Sequence, residues 1–348
     1  MPREQEADLI MGELHKGTPE TVPQDTFWDD QLASPTDSPS KAEANRCLKQ
    51  GIEARSRGNV ESARQFTERA LSCYQKNADR LGESQALGNL SSLHYEGGNY
   101  LKAVEFALQR LALAEKINDL RGCNQALGNL GNAYRHLHNY DQAIQYSQQN
   151  LLLSRKLQDR RTEMAALNNL GLAYKALKKY DQAVQHQQES LAIAREIRDE
   201  RVTAQVLRNL GNTLYGMGDF VRAIDYYKER LAIAQREEDY KVESQLLRNL
   251  GNAYQTLEQY NQAVSYFQQR LSLAKRYQDS RAEEQSLTNL GLVYEATGDY
   301  TKALEIYEQR LKLARELKDA EMEKQLLNNL KAACFALGDY AKAAEYTK

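Results

Sequence analysis

The chain has 348 residues, enough for two or three ordinary domains, and its low aromatic share with no glycine-rich or β-branched bias favours helix. Net charge is -2, but residues 1–40 carry nine acids against Arg3 and Lys16, a balance of -7 that leaves +5 for the rest. Spread over roughly three hundred residues, that excess is too thin for the dense basic stripe of a nucleic-acid binder and suits a mildly acidic peptide partner. Neither nucleic acid nor membrane insertion is expected, because no apolar run of membrane-spanning length occurs. The start, MPREQEADLI, lacks a secretion signal, and Cys47, Cys73, Cys123 and Cys334 form no metal-type pair. They read as small buried hydrophobes without disulfides in a reducing, cytoplasmic setting.

All five prolines fall within the first forty residues. Residues 1–40 therefore read as an acidic, proline-rich tail, disordered or docked. Within it, "DTFWDDQL" places Phe27 and the single tryptophan, Trp28, beside Asp29 and Asp30, a bulky pair that calls for a surface to pack on.

From residue 41 the sequence repeats every forty residues without insertion, in rows that begin at 41, 81, 121, 161, 201, 241, 281 and 321. Each row contains two helical apolar patterns, such as Leu127, Leu130, Tyr134 and Leu137, then Tyr140, Ala143, Ile144 and Leu151. Short turns such as Gly218-Asp219 and Gly298-Asp299 separate them, with the aspartate placed to cap the second helix. Asp79, Asp119, Asp159, Asp199, Asp239, Asp279 and Asp319 recur between rows and are expected to cap each following first helix. A pair of helices this short is not stable alone, so every hairpin must bury a face on the next. The expected fold is all-α, a right-handed superhelical solenoid of about eight hairpins over 41–348, with the last hairpin truncated. Apolar surface at that end would belong to a longer chain or be covered by a partner or second copy.

The Leu-Gly-x-x-Tyr cores Leu130-Gly131 with Tyr134, Leu170-Gly171 with Tyr174 and Leu250-Gly251 with Tyr254, followed by Ala143, Ala183 and Ala263, resemble the tetratricopeptide repeat. Glycine at Gly131, Gly171, Gly211, Gly251 and Gly291 fits a close approach of two helices. A forty-residue period resembles the arrays of Partner-of-Inscuteable/LGN adaptors, kinesin light chains and bacterial tetratricopeptide proteins, which bind peptides. Departures stand at Gln50, Ser91, His94, Lys331 and Cys334, all in outer rows, where capping exceptions belong.

One column carries asparagine in seven rows: Asn89, Asn129, Asn169, Asn209, Asn249, Asn289 and Asn329. Asparagine is a mediocre helix former, so a repeated one calls for a reason. The resemblance implies that first helices line a concave groove where these amides hold a partner's backbone. An amide both donates and accepts, so it can grip an extended peptide without reading its side chains. The expected groove comprises Asn89, Asn129, Asn132, Asn169, Asn209, Asn212, Asn249, Asn252 and Asn289 with Gln205, Gln245 and Tyr215. Arg135, Lys175, Arg208 and Arg248 add positive charge that would select acidic segments. The competing expectation is that the amides bond to one another across the stack.

A further series, Arg110, Arg230, Arg270 and Arg310, sits on the second helices and either borders the groove or pairs with a nearby glutamate, the pairing being the expectation. By resemblance to the tryptophan-acidic motifs that kinesin-light-chain repeats recognise, Phe27, Trp28, Asp29 and Asp30 would dock in this groove or a neighbour's, facing Arg208 and Arg248; the alternatives are that the segment covers the exposed edge of row 41 or binds a third protein. No metal or cofactor is expected, and no catalytic constellation emerges: the five histidines form no HExxH, and Gly128-Asn-Leu-Gly131 lacks the context of a phosphate loop. The function expected is a non-catalytic adaptor or scaffold for a peptide segment. Alternatives are an assembly module acting through its outer face or open C-terminal end, or the accessory repeat domain of a larger signalling protein.

Overall fold

Polar caps cut the chain into helices of nearly equal length. The computed structural model describes residues 39–346, which divide into two units at Lys179–Tyr180. Unit 1 contains α1 (Pro39–Ser56), α2 (Val60–Lys76), α3 (Arg80–Glu96), α4 (Tyr100–Lys116), α5 (Leu120–His136), α6 (Tyr140–Lys156) and α7 (Arg160–Ala176). Unit 2 contains α8 (Tyr180–Glu196), α9 (Glu200–Met217), α10 (Phe220–Arg236), α11 (Tyr240–Thr256), α12 (Tyr260–Tyr277), α13 (Ser280–Ala296), α14 (Tyr300–Leu317), α15 (Ala320–Leu337) and the short α16 (Tyr340–Glu345). No strand occurs among the described residues. The first helix opens at Pro39, inside the span read as tail; proline is tolerated at a helix start, where its missing N–H has no partner to lose.

Each of the seven aspartates between rows accepts a backbone N–H from three residues ahead, as Asp119 does from Gly122 (2.9 Å), and so caps the following first helix. Within hairpins the caps are Asn59, Asn99, Asn139, Asp219, Asp299 and Asp339, whereas Gln259 makes no side-chain cap. The tight turns within hairpins place one residue in the left-handed region, a glycine at Gly58, Gly98, Gly218, Gly298 and Gly338 but His138, Lys178 and Glu258 in the others.

The repeated leucines and alanines form the core. Leu90, Leu130, Leu170, Leu210, Leu250, Leu290 and Leu330 are all buried, as are Ala63, Ala103, Ala143, Ala183, Ala223, Ala263, Ala303 and Ala343. Aromatic pairs brace the hairpins: Tyr134 stacks on Tyr146 and Tyr254 on Tyr266, both at 5.5 Å between centroids. The departures are absorbed locally. His94 stacks on Phe106 at 5.3 Å, and Ser91 donates its hydroxyl to the Ala103 carbonyl across the hairpin at 2.9 Å. In unit 2 one hydrophobic cluster runs from Val184 to Ala343, while unit 1 includes smaller clusters around Tyr74 and around Tyr95 with Leu130.

Candidate functional site

First helices of successive hairpins approach one another at the backbone: α1 with α3, α3 with α5 and α5 with α7 in unit 1, and α11 with α13 in unit 2. Second helices meet across a wider gap through long side chains, as in the Arg195–Glu229 ion pair (2.7 Å) and the Gln188 to Tyr226 hydroxyl bond (3.2 Å). Within each unit, therefore, the first helices occupy the tighter side of the stack. Their apolar face enters the core and leaves a narrow stripe in which side chains remain half-buried.

The asparagine column runs along that stripe. Asn169 and Asn209 are buried, Asn89, Asn129, Asn249 and Asn289 half-buried, and Asn329 exposed. Several of these amides already have partners: Asn89 Nδ2 donates to the Gln85 carbonyl (3.1 Å), Asn129 Nδ2 to Ser91 Oγ (3.5 Å), and Gln245 Nε2 donates to Asn249 Oδ1 (2.8 Å). The Asn129–Ser91 bond joins adjacent first helices, but through a serine hydroxyl; the amide-to-amide bond Gln245–Asn249 lies within one helix. Asn132, Asn212 and Asn252 lie one turn further along, also half-buried, with Gln205, Gln245 and Tyr215 in the same stripe.

Charge along the stripe is uneven. Arg208 is exposed and makes no ion pair among the described residues; Arg248 is half-buried and donates from Nη2 to Gln245 Oε1 (3.0 Å). Arg135 contacts His136 Nε2 at 3.0 Å, and Lys175 is half-buried. The acids near the ends are engaged: Glu96 pairs with Arg55 (Nη2–Oε1 2.5 Å), and Glu295 accepts from Tyr307. Phe27, Trp28, Asp29 and Asp30 lie outside the described residues.

One pair of residues escaped the sequence reading. Tyr227 and Tyr307, from second helices, pass their rings beside Gly211 and Gly291, and the Tyr227 hydroxyl reaches the stripe, donating to Asn212 Oδ1 (2.8 Å). Burial raises the pKa of both phenols, so they act as donors. Their recurrence at a fixed interval after the row's glycine was the available signal. The second-helix arginines are buried at Arg110, Arg230 and Arg270. Arg230 and Arg310 pair with Glu237 (3.3 Å) and Glu284 (2.8 Å) as expected, whereas Arg110 donates to Gln125 and Arg270 to Gln285.

No group of three His, Cys, Asp or Glu side chains among the described residues could hold a metal ion. Cys47, Cys123 and Cys334 are free and buried, and burial raises their thiol pKa values, making them poor nucleophiles. No described helix is long and apolar enough to cross a membrane.

Repeated antiparallel hairpins, capped alike and stacked with first helices on one side, define an all-helical repeat protein. The chain belongs to the tetratricopeptide repeat family: that family's profile matches residues 123–196, 162–236, 202–276 and 282–348, more than half of its length. No curated protein matches it in sequence. Among solved structures it is similar to the apo form of RapI (15% identity, TM-score 0.58, covering 80% of this chain and 100% of that one). It also resembles a signal-transduction ATPase with numerous domains and a tetratricopeptide sensor, PH0952 from Pyrococcus horikoshii (18%, TM-score 0.61, 88% of this chain), of which it spans 48%. BtubC from P. vanneervenii is a third (20%, TM-score 0.53, 70% and 94%). At these identities the likeness is one of fold.

Proposed function

We propose that the protein is a non-catalytic, cytoplasmic interaction adaptor whose first-helix stripe binds an extended acidic segment of a partner protein. Membership of the repeat family supports a protein-interaction role. The observation that carries the finer reading is the stripe in unit 2, where half-buried Asn212, Asn249 and Asn252 accompany Arg208 and Arg248. Amides there would grip the peptide backbone while the arginines select carboxylates. One fold neighbour is aspartyl phosphate phosphatase F from Bacillus subtilis, so the non-catalytic reading rests on the side chains among the described residues and not on the fold. The acidic tail, through Phe27, Trp28, Asp29 and Asp30, would compete for the same arginines and regulate access.

A pull-down with the full chain, with residues 41–348 and with an Arg208→Glu/Arg248→Glu variant tests this reading. Partner capture should rise when the tail is removed and fall about tenfold or more on charge reversal. Capture unchanged by charge reversal would reject the stripe. Trp28 reports on the tail: a fluorescence maximum equal to that of the free tail peptide would reject docking. A second reading, an interface at the last hairpin, is favoured by Phe335 and Tyr340, which are 56% and 69% exposed and lie 5.9 Å apart.

A further inference from the structure

Arg270, on α12, keeps only 5% of its surface exposed. Its Nε donates to Ser244 Oγ (3.2 Å) and its Nη2 to Gln285 Oε1 (2.8 Å), while its buried Nη1 finds no acceptor. Both partners are neutral, and no carboxylate ion-pairs with this guanidinium among the described residues. Arg230 and Arg310, in the same column, each have a glutamate. Burial, helped by nearby Arg248, draws the Arg270 pKa down to about 10, so it remains charged at neutral pH. The carboxylates of Asp279 and Glu284 favour the charged form from a distance, but a buried charge with no direct ion-pair partner costs stability and is suited to an anion from outside.

Arg270 lines a cavity of about 140 Å³ between the starts of α11 and α13, with Lys241 and Arg281 also on its wall. The one acid there, Asp279, is engaged: it accepts the Tyr240 hydroxyl (2.5 Å) and the Ala282 N–H (2.9 Å). Three cations against the one carboxylate of Asp279 leave a net positive lining around a space too small for a cofactor, which needs about 300 Å³ or more, and suited to a single acidic side chain. A larger concavity of about 480 Å³, between α14 and α16, is lined by acids and bases together and has no such bias. Gln245, at the first turn of the asparagine stripe, forms part of the smaller cavity's wall.

We propose that this cavity receives the carboxylate of one Asp or Glu side chain of the bound segment, with Arg270 as its ion-pair partner and Ser244 and Gln285 holding the guanidinium plane. The inference rests on the peptide-binding reading above and adds a fixed anchor at its α11–α13 edge.

The test uses the full chain, fluorescein-labelled hexaglutamate and hexaglutamine peptides, and anisotropy at constant ionic strength. Hexaglutamate should bind in preference to hexaglutamine, and Arg270→Met should weaken it about tenfold. Retention in Arg270→Met with loss in Arg208→Glu/Arg248→Glu overturns the anchor and spares the stripe; the reverse pattern supports the anchor and overturns the stripe. If Arg270→Met does not fold, the wild-type Arg270 Nε–Hε resonance, assigned with Arg270→Lys, decides. Its movement on titration with sodium acetate supports the proposal. Movement with inorganic phosphate alone, or with neither anion, overturns it.

Discussion

Units 1 and 2 read almost alike in sequence yet fill the space beside their repeated glycines in opposite ways. In unit 1 the facing side chains are small: a Cβ at Gly51 would meet Thr67 Oγ1 at 2.6 Å, and one at Gly131 would meet Ser147 Oγ at 2.5 Å. In unit 2 the facing side chains are rings, Tyr227 against Gly211, Phe267 against Gly251 and Tyr307 against Gly291. The same glycine therefore lets two helix backbones draw together in one unit and makes room for an aromatic ring in the other. In unit 2 this route carries a phenol through to the first-helix stripe, where Tyr227 meets Asn212. The repeat signature specifies a gap; the second helix decides what the gap is for.

Emptying or blocking that gap gives the largest expected effects. Phe267 is fully buried, so Phe267→Ala should cost about 3–5 kcal/mol, whereas Ser147→Ala in unit 1 should cost under about 1 kcal/mol. Gly251→Ala would drive a Cβ into the Phe267 ring and should cost about 1–3 kcal/mol, while Gly131→Ala meets a hydroxyl that can turn aside and should cost less. Hydrogen exchange resolved by helix measures each unit separately; equal losses at Gly131 and Gly251 would erase the distinction.

A smaller effect, of opposite sign, is expected at the α11–α12 turn. Glu258 there has φ +57° and Gln259 makes no side-chain cap, whereas Gly218-Asp219 and Gly298-Asp299 supply both devices in the same unit. Glu258→Gly with Gln259→Asp should stabilise unit 2 by about 1–2 kcal/mol, seen as slower exchange in α11 and α12. No gain would mean that the turn is held by its backbone bonds alone.

The caps and the leucine and alanine columns were legible in the sequence because each is a local or strictly periodic requirement. Asp119 needs only the N–H three residues on, and Leu130 needs only its place on a helix face. The fate of the asparagines was not legible, since whether Asn89 turns to the Gln85 carbonyl is a choice of rotamer. Arg270 was harder still. Its neighbours Ser244 and Gln285 come from other helices on either side, so nothing local marks it as buried. The division at Lys179–Tyr180 likewise has no compositional signal, because it falls inside a row whose period is unbroken.

The smallest expected difference between the units concerns acid. In unit 1, Glu163 has a side chain 8% exposed and accepts from Arg155 Nε (2.9 Å) and Arg160 Nη1 (2.7 Å). Burial alone would raise its pKa, but the two guanidiniums outweigh burial and hold the carboxyl below its ordinary 4.5. A carboxyl whose folded pKa lies below the unfolded one contributes stability that is fully present above the ordinary glutamate range and is lost as pH falls through the folded value. In unit 2 the same column holds Glu323, which pairs with Arg315 (2.7 Å), and Glu283, whose ion-pair partner is Lys275 at 3.8 Å, a lysine that is half exposed. Glu163→Gln should therefore cost about 1 kcal/mol near pH 7, and Glu283→Gln no more than about 0.3 kcal/mol. The Glu163→Gln penalty should shrink as pH is lowered below about 4.5, because the wild-type carboxyl then gains the proton that the amide mimics. Urea midpoints measured by circular dichroism between pH 7 and about pH 3 follow this convergence. Parallel curves for wild type and Glu163→Gln across that range would show that the two arginines hold the side chain by packing alone.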